Sequence, residues 1–309
     1  MNRVDALPRS PFVEVAGAAR AGIDDVSQSA RSSRALGAIL IDAGRLSVAD
    51  AESILRFQRQ HGKRFGEAAM ELGLLSREDI RFALARQFDY PCLPPGDTAL
   101  DRKMVAAFRP DAAIVEQLRG LRSQLMLRWF DADADGKSLA IVSPARGDGR
   151  SFIAANLAIV FSQLGERTLL IDANLRTPVQ HALFRTGKSP GLSAVLAGRA
   201  GHEAIVRIPS LRGLSVLPAG ALPPNPQELL GRSRFNELLR SASRHHDVVL
   251  IDTPAAERCA DALTIAARAG GALLIARKDR SALAGVKALT RDLQTVCHVV
   301  GSALNDVRA

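Results

Sequence analysis

Ser143-Pro-Ala-Arg-Gly147-Asp148-Gly149-Arg150-Ser151-Phe152 joins the apolar run Ser138-Leu-Ala-Ile-Val-Ser143 to a long apolar-periodic stretch ending near Leu164. A glycine-rich turn between a strand and a helix N-terminus aims backbone N–H groups and the helix dipole at a phosphate. Gly147, Asp148, Gly149, Arg150, Ser151 and Phe152 are therefore the candidate nucleotide-contacting residues. Such loops usually end Gly-Lys-Ser/Thr. Here Arg150 stands where the lysine is expected. A guanidinium keeps the charge but grips phosphate as a planar fork, whereas an ammonium acts as a point charge. The expectation is that Arg150 holds the β- and γ-phosphates and that Ser151 gives its hydroxyl to Mg²⁺.

Two further segments supply carboxylates. Leu169-Leu-Ile-Asp172-Ala-Asn174-Leu-Arg176 and Val248-Val-Leu-Ile-Asp252-Thr-Pro254 are apolar runs ending in aspartate. In a parallel sheet the C-terminal ends of the strands share the edge where ligands bind. Asp172 and Asp252 would then face the phosphate loop, Asp252 toward Mg²⁺. Asp172 suits metal binding, or orienting and deprotonating a nucleophile. The plainer reading is a pair of capping aspartates after strands.

These residues need a scaffold that alternates strand and helix. Apolar runs at 138–143, 167–172, 214–218, 247–252, 272–276 and 296–304 alternate with helical patterns near 152–164, 227–243, 260–269 and 282–293. Continuous apolar strands separated by amphipathic helices indicate an α/β fold, a parallel sheet flanked by helices on both faces. Another helix runs from Asp111 to about Phe130 and carries Glu116, Arg119 and Arg122 at i, i+3 and i+6. Upstream lies an internal repeat: Leu36-Gly-Ala-Ile-Leu-Ile-Asp-Ala-Gly44-Arg-Leu-Ser47 is echoed by Phe65-Gly-Glu-Ala-Ala-Met-Glu-Leu-Gly73-Leu-Leu-Ser76. Ser47 and Ser76 sit where helix N-caps belong, each with Asp three residues on, and Gly44 and Gly73 end the preceding turns. The expected organisation is a disordered arm over 1–34, a small all-α repeat domain over 35–93, a linker over 94–110 and a P-loop domain over 111–309.

The 309 residues carry 41 Lys and Arg against 32 Asp and Glu, a net charge of +9. That excess suits an anionic partner, or simply a solvated basic surface. Aromatic residues make up 4% of the chain, so the core is aliphatic. Cys92, Cys259 and Cys297 have neither metal nor redox spacing. No run reaches the length of a membrane-spanning helix, and the N-terminus lacks an apolar signal core. The expected location is cytoplasmic, peripheral to the inner membrane only through a partner.

At these motifs the sequence resembles the bacterial tyrosine kinases (BY-kinases) of the MinD/ParA-like P-loop class. The resemblance covers the Walker A loop at 143–151, Walker A′ at 169–176, Walker B at 248–252, Glu116-x-x-Arg119-x-x-Arg122, Leu217-Pro-Ala-Gly220 and Pro224-Asn-Pro226-Gln-Glu-Leu-Leu230. Within the family the pattern is most similar to the EpsG-type chain-length determinant kinases of exopolysaccharide clusters. The resemblance implies ATP and Mg²⁺ as cofactors, Asp172, Arg150 and Asp252 as catalytic residues, and Ser151, Asp172 and Asp252 at the metal. It implies a homo-oligomer packed through Glu116, Arg119 and Arg122, and a partner in the cytosolic tail of a membrane polysaccharide co-polymerase. No nucleic-acid partner is expected.

The repeat resembles the MshEN-like N-terminal domain of type II secretion ATPases, which implies cyclic di-GMP at Arg64, Gly66 and Gln87. In the first copy Ala35 stands where an Arg is expected. Two other departures bear on activity. Asn174 replaces the second Asp of Walker A′, and the family's C-terminal tyrosine cluster has no counterpart, Tyr90 being the one tyrosine. Two other readings stay open. One is a nucleotide-switched regulatory subunit of the same machinery. The other is a partition ATPase, against which Ala145 stands in place of that class's signature lysine.

Overall fold

The computed structural model describes residues 36–88, 90–94, 96–131, 137–187 and 190–306. The arm expected over 1–34 lies outside them. The repeat forms four helices: α1 (Leu36–Asp42), α2 (Val48–His61), α3 (Phe65–Glu71) and α4 (Arg77–Gln87). Gly44 and Gly73 take φ values of 66° and 67°, the left-handed turn that ends each first helix. Ser47 accepts from the Asp50 amide. Ser76 and Asp79 close a reciprocal capping box. Leu40, Ile54, Ala68, Ala69 and Ala83 pack into one small core, so each copy covers the other's apolar face. Arg45 joins the copies, pairing with Asp79 at 2.6 Å and lying 4.3 Å over the Phe82 ring.

After α5 (Val105–Phe108) and α6 (Ala113–Leu125) come β1 (Ser138–Val142), α7 (Arg150–Leu164), β2 (Thr168–Asp172), α8 (Gln180–Leu183), α9 (Leu192–Leu196), β3 (Val206–Arg207) and β4 (Leu214–Leu217). The chain continues through α10 (Pro226–Gly231), α11 (Ser233–His245), β5 (Val248–Asp252), α12 (Asp261–Ala269), β6 (Gly271–Arg277), α13 (Leu283–Gln294) and β7 (His298–Asn305). The seven strands lie in the order β3-β4-β2-β5-β1-β6-β7. All neighbours pair parallel except the short edge strand β3, which the sequence reading did not anticipate. Alternate residues of each strand enter opposite cores. Leu139, Ile141, Leu170, Leu250 and Ile275 meet α6 and α7 on one face. Ala140, Val142, Leu169, Ile251 and Leu274 meet α9 to α13 on the other. Helix α7 is buried nearly all round, as a central helix must be when it is apolar on every face.

Three expectations are corrected. The 94–110 segment is not a free linker. Leu100, Met104, Ala106 and Ala107 are buried in the same core as β1 and α7, and the Ala106 amide donates to Asn156 Oδ1 at 3.0 Å. Its apolar residues are too short a run to show a period, which is why proline and glycine dominated the reading. The helix expected near 227–243 breaks at Arg232, whose ψ of 153° is extended, into α10 and α11. Likewise the helix expected to run to Phe130 leaves α geometry after Leu125 and ends in a π-helical turn over Met126–Phe130.

At the opposite edge of the sheet from the phosphate loop, Arg167 grips Asp247 through Nε at 2.9 Å and Nη2 at 2.6 Å. These bonds hold the Asp247 carboxyl down to about 2 from its usual 3.8. A lowered carboxylate pKa stabilises the fold above the unfolded value, and that contribution is lost as pH falls through the folded one. Replacing Arg167 by alanine should therefore raise the pH midpoint of acid unfolding, followed by circular dichroism, while an added Asp247→Asn change should remove the difference.

Candidate functional site

The loop between β1 and α7 is shaped by two glycines in left-handed geometry, Gly147 at φ 89° and Gly149 at φ 91°. A side chain at either would be strained. Around the loop lies a cleft of about 220 Å³ lined by Ser143, Arg146, Gly147, Gly149, Arg150, Ser151, Phe152, Asn174 and Thr177 among others. The loop is clipped from behind. Asp148 is buried, accepting from the Ala145 amide at 2.8 Å and from Ser281 Oγ at 2.8 Å, and Asn305 Nδ2 donates to its carbonyl at 2.9 Å. The carboxylate of Asp148, which also lines the cleft, is thus engaged by the Ala145 amide and Ser281 and serves the loop's shape. Phe152 packs its ring against the core, which leaves its backbone for the loop.

The expected phosphate fork points inward. Arg150 is only 8% exposed; its Nε donates to Asp252 Oδ1 at 3.1 Å and its Nη1 to Ser143 Oγ at 2.8 Å. Asp252 and Asp172 are fully buried and face one another in register on β5 and β2. Asp172 accepts from the backbone amides of Asn174, Val179 and Gln180 at 3.2, 3.1 and 2.9 Å. Burial, then the neighbouring Asp252 charge, pushes the Asp172 carboxyl up to about 7, against the pull of those three amides. Its visible role is to anchor the 173–180 loop. Asn174 ties that loop further, donating to the Thr177 carbonyl at 2.8 Å and accepting from the Thr177 amide at 3.0 Å. An amide donates where a second aspartate could not, so the substitution removes a charge and adds a clip.

Gln180, which the sequence reading missed, completes the centre. Its Nε2 donates to Asp252 Oδ2 at 2.8 Å and to the Ser151 carbonyl at 3.1 Å, while its Oε1 is buried with no hydrogen-bond partner. Among the described residues no three His, Cys, Asp or Glu side chains converge as a metal cage. Mg²⁺ does not need one: it keeps several waters and takes one or two protein oxygens beside nucleotide phosphates. An orphaned acceptor next to Asp252 and Ser151 suits a water on such an ion, so the donor set fits Mg²⁺ carried with a nucleotide.

A family profile described as "Cellulose biosynthesis protein BcsQ" matches residues 137–300. The tyrosine-protein kinase YwqD of Bacillus subtilis is 37% identical over 176 residues, covering 57% of this chain and 73% of that protein. The chain belongs to the bacterial tyrosine kinase family. The putative tyrosine-protein kinase EpsB of Ralstonia solanacearum is 37% identical over 217 residues; the match covers 66% of this chain but only 28% of EpsB's length. Among solved structures, the kinase domain of Escherichia coli tyrosine kinase ETK superposes with a TM-score of 0.63 at 32% identity, over 67% of this chain and 81% of that one. The chimerical protein CapA2B2 gives 0.63 at 29% identity, over 73% and 98%.

In this member of the BY-kinase family the Glu116–Arg122 face is only partly free. Glu116 is exposed, but Arg119 pairs with it at 2.9 Å, lies 5.5 Å over the Tyr90 ring and donates to the Tyr90 hydroxyl at 2.7 Å. Arg122 donates to the Val160 carbonyl at 2.9 Å. Both arginines fold onto their own chain. The Tyr90 hydroxyl donates in turn to Gln163 Oε1 at 2.7 Å. Gln163 lies near the far end of α7, about 18 Å from Ser151 at 1.5 Å per residue. Tyr90 is therefore held away from the phosphate loop.

In the helical module, Gln87 lines a cavity of about 450 Å³ with Asp42, Arg45, Phe82 and Arg86. Gly66 instead serves packing: a Cβ there would lie 3.2 Å from Ile80 Cγ2. Arg64 occupies the N-cap position of α3, its backbone amide donating to Glu67 Oε2 at 3.1 Å. The three residues expected at one ligand are thus not gathered in that cavity. Among the described residues no helix is long and apolar enough to cross a membrane.

Proposed function

We propose that this BY-kinase binds ATP with Mg²⁺ at the 143–151 loop and uses it to control polymerisation and export of an exopolysaccharide, as an EpsG-type chain-length determinant kinase does. The observation that carries the reading is the cleft that Ser151, Arg150, Asn174 and Thr177 line with two left-handed glycines, and the buried Asp252 tied to it from beneath by Arg150 and Gln180. The backbone amides of 147–151 take the phosphates. Ser151 and Asp252, with Gln180, hold the hydrated Mg²⁺, which when bound neutralises phosphate charge. Arg150 pairs with Asp252 and holds its carboxylate in place. Asp172 fixes the loop on which Asn174 and Thr177 face the cleft, and is the carboxylate assigned to orient the acceptor hydroxyl.

The acceptor is a tyrosine of another chain, because Tyr90 is held at the far end of α7. The cytosolic tail of a membrane polysaccharide co-polymerase is the partner, and copies of the kinase assemble through Glu116 once Arg119 and Arg122 are released. That partner places the protein at the inner membrane. The helical module, MshEN-like in its repeat, takes cyclic di-GMP with Gln87 and the Arg45–Phe82–Arg86 stack, while Arg64 and Gly66 maintain α3. A second reading, a nucleotide switch with little transfer, is favoured by the inward Arg150.

Purified protein incubated with Mg-ATP, with and without the co-polymerase tail, separates the two. We expect ADP release together with phosphotyrosine on the added tail. ADP release without phosphotyrosine selects the switch, and neither product rules out both. Calorimetric titration of the same preparation with cyclic di-GMP should give heat with one saturable site; none at high micromolar ligand removes that assignment.

A further inference from the structure

The inward turn of Arg150 leaves the outer side of the loop to other cations, and one is already in place. The turn after β6 is wired to the loop at several points. Arg277 Nη1 donates to the Gly147 carbonyl at 3.3 Å, the Arg277 amide donates to Ser281 Oγ at 2.7 Å, and Ser281 Oγ donates to Asp148 at 2.8 Å. Asp279 takes a left-handed φ of 59°, one of two non-glycine residues to do so among those described. That kink lays the Arg280 guanidinium on Gly147. A Cβ built there would lie 3.1 Å from Nη1 and 3.2 Å from both Cζ and Nη2.

Arg280 is exposed and has no ion-pair or hydrogen-bond partner for its guanidinium among the described residues. An unpaired cation held against an anion-binding turn, beside Arg146 and Arg277, raises the local positive potential until an anion enters.

We propose that Arg280 is a nucleotide-positioning residue, reaching from the neighbouring strand's turn to the phosphates of a nucleoside polyphosphate in the 143–151 loop. This rests on the nucleotide reading above. Arg277 and Ser281 position it, and Arg280 supplies the unpaired charge that Arg150, committed to Asp252, does not. No sequence motif marks it, because its spacing from the loop is set only by the pairing of β1 with β6.

The test uses the full chain with Mg²⁺ and N-methylanthraniloyl-labelled ATP, read by fluorescence anisotropy, in wild type, Arg280→Ala and Arg280→Lys. Arg280→Ala should weaken ATP binding about tenfold, Arg280→Lys should recover part of that, and the gap should narrow as salt rises. Unlabelled adenosine as competitor should lose nothing. Equal or tighter ATP binding by Arg280→Ala, with the wild type binding normally, overturns the role of Arg280 alone. A wild type that binds no ATP overturns the reading of the site as well.

Discussion

Replacing Gly149 by alanine should lower nucleotide affinity by at least about a hundredfold, near 2.7 kcal/mol. Gly149 has φ 91°, where a side chain costs on the order of 1–3 kcal/mol. Its missing Cβ also leaves room for the side-chain amide of Asn305, which a methyl group would strike. Asn305 is buried and already donates to the Asp148 carbonyl, so it cannot step aside without unclipping the loop from behind. The substitution therefore attacks the backbone shape that presents the amides, while leaving every charged group in place. Gly120→Ala is the matched control. Gly120 lies in α6 with nothing within 4 Å of an added Cβ, so it should keep full affinity and gain up to about 1 kcal/mol of stability. Labelled-ATP anisotropy and thermal melting measure both.

Arg150→Met should be the most damaging single change to stability, by about 3–5 kcal/mol, the usual cost of removing one partner of a buried ion pair. It would leave Asp252 and Asp172, both fully buried, side by side with the Gln180 amide and backbone donors as their remaining support. The sign of the pH dependence follows. Without the guanidinium a folded-state carboxyl binds its proton more tightly than the unfolded chain does. A raised folded pKa favours folding at low pH and withdraws that support as pH rises toward it. The deficit against wild type should be larger at pH 8 than at pH 5.5 in denaturant titrations. Adding Asp252→Asn should recover part of it at pH 8. An Arg150→Met protein as stable as wild type at both pH values would contradict the ion-pair role.

Most of the scaffold was legible because apolar runs and glycines carry local physics. The strands ending at Asp172 and Asp252, the left-handed Gly44 and Gly73 turns, and the Ser47 and Ser76 caps follow from periodicity and side-chain chemistry alone. What was hidden depends on contacts across the sheet. Arg150 sits where a loop cation belongs, and its spacing says nothing of whether it faces phosphate or Asp252. Gln180 and Asn305 stand outside the motifs and enter the site only through the folding back of 173–180 and the pairing of β6 with β7. The burial of 94–110 was masked by its prolines and glycine. Arg119 and Arg122 look like a surface stripe on a helical wheel until Tyr90 and Val160 are brought against them.

The most direct measurement is equilibrium binding of ATP to the purified full chain, titrated with and without Mg²⁺ and repeated with Gly149→Ala. Saturable binding at one site per chain, strengthened by Mg²⁺ and lost in Gly149→Ala, is the predicted result. Absence of binding, or binding that Gly149→Ala leaves intact, would contradict the assignment of the 143–151 loop as the nucleotide site.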